Sequence, residues 1–366
     1  MKRLLFALAI VCLWLPGRAG ERFISGGLYY EILSEEDATV ALAKPTAHDT
    51  EYLAGVTAVT LEGKVTNPAT GNEYELVAIG HAFVGYAVSA HQLDALESVT
   101  IPNTVTTIDD FYSLPNLKHV KLSDRLESLT GFTECPAITT LDIPESVTDI
   151  GMFTFQYSGF EELTIPKSVK FIPYYMASYC ERLTRLSIPG AEVMTDHALL
   201  GLPSLATLVL PATFVKNAIN SIEGGIETIW FESDGVEREW QLDIFSFYCS
   251  PKTIYCARKT PPVIDFYYDH FDPAMFDNEA YMFGGTSNLP NIKLYVPVGC
   301  KEAFSQTPYW GLMDIREYDF NAGVETVTSD TLPADGKLYD LQGRLTETTG
   351  ASPGIYVRDG RKILVR

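Results

Sequence analysis

One apolar pattern returns along this chain at a nearly fixed interval, and that periodicity constrains the fold more than any other feature. LESVTIPNTVTTID begins at Leu96, LKHVKLSDRLESLT at Leu117, ITTLDIPESVTDIG at Ile138, FEELTIPKSVKFIP at Phe160 and LTRLSIPGAEVMTD at Leu183. LATLVLPATFV at Leu205, IETIWFESDGV at Ile226 and a degraded PKTIYCARKTPP at Pro251 continue the series. The apolar residue ahead of Pro, or of its substitute, falls at Ile101, Leu122, Ile143, Ile165, Ile188, Leu210 and Phe231. The intervals between them are 21, 21, 22, 23, 22 and 21. No unit of that length can bury its own apolar side, whereas stacked copies bury one another, so a fixed period of this size predicts a solenoid.

Within each copy two core positions alternate with one outward residue (Val99 and Ile101, Leu141 and Ile143, Leu186 and Ile188), which is strand spacing. The expected fold is an α/β or mainly β solenoid whose short parallel strands form a continuous ladder, one rung per coil. Pro ends each strand because it lacks the donor that a longer ladder needs. A second apolar ridge follows (Val147 with Ile150, Val169 with Ile172) and supplies another wall. The stretch 20–75 alternates around Tyr30, Ile32, Val40 and Leu42 and reads as an N-terminal β cap, with Asn67-Pro68 and Gly71-Asn72 as breakers. Residues 76–318 form the repeats, with the period broken between 257 and 291 and a short helix after the strand at Leu294 and Val296. A linker over 319–336 and three short strands in 337–366 close the chain, with turns at Gln342-Gly343, Pro353-Gly354 and Asp359-Gly360.

The first residues, MKRLLFALAIVCLWLPGRAG, combine Lys2 and Arg3 with a short apolar run and a small-residue site. They predict a secretory signal peptide over 1–19, cleaved after Ala19, too short to span a bilayer. No later segment reads as membrane-spanning. A net charge of −20 repels phosphate backbones, so nucleic acid is not an expected partner. Beyond the signal stand Cys135, Cys180, Cys249, Cys256 and Cys300, an odd number that excludes complete internal pairing. Cys135 and Cys180 sit two coils apart, roughly 10 Å at the strand spacing, beyond disulfide reach. Small buried side chains are the expectation, and Cys249 with Cys256 is the one pair left to test.

The LxxLxIPxSVxxIG units, the IYCARKTPP segment and the closing LYVPVGCKEAF resemble the BspA-like leucine-rich repeat family of secreted bacterial proteins, over about residues 76–318. YYEI…VTLEGKVTNPATGNEYELVAIGHAF resembles that family's N-terminal section. The resemblance implies a right-handed leucine-rich-repeat solenoid and adhesion to extracellular matrix proteins, with no cofactor. Pro stands here where Asn or Cys would follow the strand, and several coils lack the usual Ala-Phe pair, which leaves a shared ligand open. Tyr339-Asp340-Leu341-Gln342-Gly343-Arg344 and Gly354-Ile355-Tyr356 resemble the C-terminal sorting domains of type IX secretion; a plain β module is the alternative.

Sites of chemistry are hard to find. The six histidines show no metal-ligand spacing, and there is no nucleophile elbow, phosphate loop or CxxC. The carboxylates Asp265, Asp269, Asp272, Asp277 and Glu279 do not match a calcium loop and read as solvated, so no metal is expected. Binding remains, through the outward residues of the ladder: Thr100, Lys121, Asp142, Thr164, Ser187, Val209, Trp230, Tyr255 and Tyr295. Trp230 and Tyr255 have few rotatable bonds and suit contact anchors, unless the 257–291 loop folds over and buries them. Three readings follow: a secreted or outer-surface protein that recognises host or neighbouring-cell protein through Lys121, Asp142, Thr164, Ser187, Val209, Trp230 and Tyr255; a carbohydrate-binding accessory protein that stacks Trp230 and Tyr255 on sugar rings; and a structural surface spacer.

Overall fold

The computed structural model describes residues 20–46, 52–84, 93–218, 221–243, 247–265, 282–285 and 287–320, and beyond them the strands Glu325–Val327, Leu338–Tyr339, Leu345–Thr346, Gly354–Arg358 and Arg361–Val365. The signal-peptide stretch, residues 266–281 with most of the loop carboxylates, and the turns of the tail lie outside the described residues.

The repeat builds a mostly β solenoid with parallel ladders on its walls. The first ladder aligns Ala58–Thr60, Ser98–Thr100 and His119–Lys121, and resumes as Glu162–Thr164 with Arg185–Ser187. It ends in Thr207–Leu210, Thr228–Phe231, Thr253–Cys256, Lys293–Pro297 and Asp314–Tyr318, all parallel. Its core residues register as columns: Leu163 beside Leu186, then Leu208, Ile229, Ile254, Leu294 and Ile315 in succession. These side chains are buried, and each contributes about 1.5–3 kcal/mol relative to exposure. The first rung, Ala58–Thr60, falls inside the stretch read from sequence as the cap.

The predicted rung at Ile138 is a correction. Ile138 and Leu141 are buried in the column, but residues 138–143 pair as a strand with neither neighbour. Bonds on either side fix the coil in the stack without them: Glu161 N–H donates to Thr139 O and Thr148 N–H to Glu127 O. A three-residue rung adds little once side-chain burial and these bonds set the register. Asp142 is therefore exposed on an irregular segment, and Ile143 is only partly buried against the core.

The Pro-x-x-Val pattern acquires a reason. The N–H of Val105, Val147, Val169 and Phe214 donates back to the carbonyl of Pro102, Pro144, Pro166 and Pro211 at 3.0–3.2 Å, a tight turn between the first wall and the second. The second wall then aligns Ile79, Ile108, Leu129 and Ile150 across parallel strands, and further on Ile172 with Met194. A second tight turn opens several of the repeats: Leu117, Ile138, Leu183 and Leu205 donate to Leu114, Cys135, Cys180 and Leu202. Cys135 and Cys180 thus occupy positions that other coils give to Leu.

Behind the second wall a buried spine of rings, Phe83, Phe111 and Phe132, stacks at 5.2 and 5.0 Å and continues to Phe155. Asp110 closes its N-terminal end. Its carboxylate accepts from the N–H of Ala82, Phe83 and Phe111 at 2.7–2.8 Å and is fully buried. Gly131 lies so near that a Cβ there would stand 1.7 Å from the Asp110 carbonyl oxygen.

The ends are covered as solenoid ends require. Arg22–Ser25, Leu28–Ser34 and Thr39–Ala43 form an antiparallel meander whose last strand pairs in parallel with Glu73–Gly80, joining it to the second wall. At the other end the helix Lys301–Ser305 and the turn Trp310–Leu312 place Phe304 and Trp310 over the core, both fully buried. The tail strands make a separate 5-stranded sheet in which Glu325–Val327, from the expected linker, pairs in parallel with Arg361–Val365.

Candidate interaction surface

The ladder places the sequence-chosen residues other than Asp142 on one wall but divides them in character. Thr60, Thr100 and Lys121 register as neighbours, as do Thr164 and Ser187. Lys121, Asp142 and Thr164 are exposed, and Ser187 is half-buried. Around them, charges pair between adjacent coils: Lys118 with Glu97 at 3.3 Å, Arg185 with Glu162 at 2.9 Å, and Arg182 with Glu161. Such exposed pairs contribute little to stability, but they leave a rim of mixed charge.

The C-terminal half is aromatic and largely covered. Val209, Trp230, Tyr255, Tyr295 and Arg316 follow one another in register. Trp230 stacks on Tyr255 at 4.0 Å and 10°, and Tyr255 on Tyr295 at 4.8 Å and 11°. Both faces of Tyr255 are thereby occupied. Over this column the chain lays Tyr318 and Phe320, edge-on to Tyr255 at 5.9 Å, Tyr295 at 5.7 Å and Trp230 at 6.4 Å. The cover expected from the 257–291 loop is thus supplied, among the described residues, by the segment that leaves the last rung. Burial, with Tyr295 and Tyr318 adding to it, holds the Tyr255 hydroxyl above its usual range.

A second aromatic surface, which the strand reading did not reach, lies on the turn wall. Phe153, Tyr175 and His197 stack at 5.4 and 5.2 Å with planes 12° apart, and Tyr174 meets all three edge-on. Beside them Tyr157 stacks on Tyr179 at 4.8 Å and 5°. Phe153 is 38% and Tyr157 50% exposed, with Met152 at 54%, so this patch faces solvent.

These walls have counterparts among known proteins. A sequence profile described as a BspA type Leucine rich repeat region matches residues 88–205 in 6 copies. The chain carries BspA-type leucine-rich repeats. A leucine rich cell surface protein from Faecalibacterium prausnitzii A2-165 has a similar structure, with TM-score 0.52 and 18% identity over 85% of this chain and 83% of its own. A leucine-rich repeat protein from Bacteroides ovatus gives TM-score 0.49 and 17% identity over 84% of this chain and 82% of its own. No curated protein matches the chain.

The cysteines are placed as packing residues, Cys135 and Cys180 within the matched repeats. All five are unpaired, Cys249 and Cys256 included. Burial pushes Cys135, Cys180, Cys249 and Cys256 up to about 12, which leaves them as neutral thiols and poor nucleophiles at ordinary pH. Among the described residues no group of His, Cys, Asp or Glu is placed to hold a metal ion, and no helix is long and apolar enough to cross a membrane.

Proposed function

We propose that this protein is a non-catalytic binding protein that works outside the cell, where it recognises protein of a host or a neighbouring cell. The observation that carries the reading is the rigid, solvent-facing aromatic patch around Phe153, Tyr157, Tyr175 and Tyr179. Tyrosine gives large contact area for little ordering entropy and is enriched where proteins bind tightly. The exposed polar half of the ladder wall, Lys121, Asp142, Thr164 and Ser187, serves as a flanking contact strip. Val209 extends the strip, while Trp230 and Tyr255 belong to it only when Tyr318 and Phe320 lift away. The signal-like first residues and the BspA-type repeats support an extracellular place of action, as does the F. prausnitzii cell surface protein of similar fold. The 337–366 module would act in type IX export.

The stacking argues against sugar binding at Trp230 and Tyr255. A pyranose packs on an open ring face, and both faces of Tyr255 and one face of Trp230 are occupied by neighbouring rings, with Phe320 edge-on to Trp230. A pull-down from host or community extracellular material tests the proposal, comparing the wild-type chain with Phe153→Ala/Tyr175→Ala and with Trp230→Ala. Retained proteins should be lost with the double variant and kept with Trp230→Ala. A wild-type chain that retains no protein would refute the binding reading and leave the spacer.

A further inference from the structure

The turn wall carries an order of residues that points to the chemistry of its partner; the inference rests on the protein-binding reading above. Glu134, Tyr157, Tyr179, Gly201 and Glu223 stand one above another on successive coils. Backbone bonds fix the alignment: Glu134 N–H donates to Gln156 O, Tyr157 N–H to Ser178 O, and Tyr179 N–H to Leu200 O. The Tyr179 ring rests on Gly201, where a Cβ would come within 2.6 Å of it. Leu199 pairs with Ile222 and Leu202 with Gly224, which brings Glu223 abreast of Gly201. The stacked tyrosines are thus bracketed by two carboxylates, both exposed. Glu134 is braced by the Ser113 hydroxyl at 2.5 Å.

Among the described residues no cation forms a salt bridge with either. The sequence contains no Lys or Arg over 126–166, 171–181 or 186–215, the segments that build this wall. Of the cations that flank these segments in sequence, Lys170, Arg182 and Arg185 are engaged with Glu192, Glu161 and Glu162. Nor does the backbone favour rings here. Phe153, Tyr157, Tyr175 and Tyr179 have φ of 62°, 56°, 54° and 59°, a region that disfavours bulky residues by about 1–2 kcal/mol each and that Gly201 occupies freely at 67°. Stacking returns about 0.5–1.5 kcal/mol per pair. Their placement gains the fold little, while that of Tyr157 and Tyr179 presents ring edges and hydroxyls to solvent between two anions.

We propose that this wall binds an extended basic segment of a protein partner, its Lys or Arg stems lying along the tyrosine edges and its cationic heads reaching Glu134 and Glu223. Four coil steps separate the two carboxylates, roughly 19 Å at the spacing between neighbouring strands. An extended chain covers that distance in about six residues. The matching segment therefore carries cations six residues apart.

The test displays ten-residue Ser/Ala peptides at high density on a biosensor. One bears two arginines six apart, one bears two adjacent, and one bears glutamines instead. The full chain should bind the first at least tenfold more tightly than the other two. Tyr157→Ala/Tyr179→Ala and Glu134→Gln/Glu223→Gln should each remove at least tenfold of that binding. Glu36→Gln/Glu239→Gln, with the same charge change elsewhere on the exposed surface, should stay within twofold. Matching far-UV dichroism and unfolding midpoints show that each variant is folded. Equal binding of the spaced and adjacent peptides, no binding of either, or equal loss in all acidic variants overturns the proposal. If these peptides fail while Phe153→Ala/Tyr175→Ala still loses proteins in the pull-down, the basic partner falls and the protein-binding reading stands.

Discussion

Asp110 gives the sharpest test of how the N-terminal cap is locked to the solenoid. Its carboxylate takes three buried N–H donors, two from Ala82 and Phe83 and one from Phe111. Asp110→Ala leaves those donors without a partner. At about 1–3 kcal/mol for each unsatisfied group, with some relief from relaxation, the loss is about 3–6 kcal/mol. The pH dependence is more telling. Burial pushes the Asp110 carboxyl up to about 7, against the pull of the three donors, with Asp109 adding a smaller push. Between pH 4 and 7 the unfolded chain has released this proton and the folded chain still holds it. Stability from this group is therefore fully present below pH 4 and is lost as pH rises through 7, by roughly 4 kcal/mol in all. Asp110→Asn does not titrate. Urea unfolding of both proteins from pH 4 to 8 isolates the effect: the stability of wild type minus that of Asp110→Asn should fall as pH rises. A difference that is flat, or that grows with pH, would show that the N–H donors outweigh burial and that the group stays ionised.

Other perturbations have outcomes as definite. Leu163→Ala, in a column where Leu163 is 2% exposed beside Leu186, should cost about 2–5 kcal/mol in urea unfolding. Arg258 lies over Trp240 at 4.2 Å and donates to the carbonyls of Pro211 and Glu232; Arg258→Ala should destabilise by about 2–4 kcal/mol in the same assay. Gly201→Ala forces a Cβ toward the Tyr179 ring at φ +67° and should cost about 1–3 kcal/mol, with a change in near-UV tyrosine dichroism. Tyr318→Ala/Phe320→Ala should uncover Trp230, red-shifting tryptophan emission and raising acrylamide quenching, because Trp240 and Trp310 remain buried.

The core was readable because burial imposes a period: Ile101, Leu122 and Ile165 recur at one phase, and all three are buried. The strand at Ile138 was over-read for the same reason. Apolar spacing reports which side chains face inward, and it does not report whether the backbone between them is bonded to its neighbours. The turn wall left a fainter trace. Phe153, Tyr175 and His197 repeat at 22 residues, as do Tyr157, Tyr179 and Gly201, but in the segment where strand alternation no longer applies. An aromatic recurring at a fixed phase outside the core positions was the available signal. The cover of Trp230 by Tyr318 and Phe320 left none, since it depends on where the chain turns after the last rung.

The two aromatic columns show why composition alone does not locate a contact surface. Trp230, Tyr255 and Tyr295 sit on strands, at ordinary β conformation, and the emerging chain closes over them with two more rings. Tyr157 and Tyr179 sit at turns in a conformation that opposes them, and among the described residues no ring covers them but their own neighbours. In the first case the rings are explained by the packing they complete. In the second, stacking falls short of or barely offsets the backbone penalty, and about half of Tyr157 remains in water. A residue that brings the fold no clear gain and is held rigid by its neighbours is where a partner's binding energy can be spent without further ordering. The sheet-face aromatics would gain that property only by releasing residues 318–320, so a partner that needs Trp230 must bind more tightly after Tyr318→Ala/Phe320→Ala, while a partner of the turn wall must be indifferent to it.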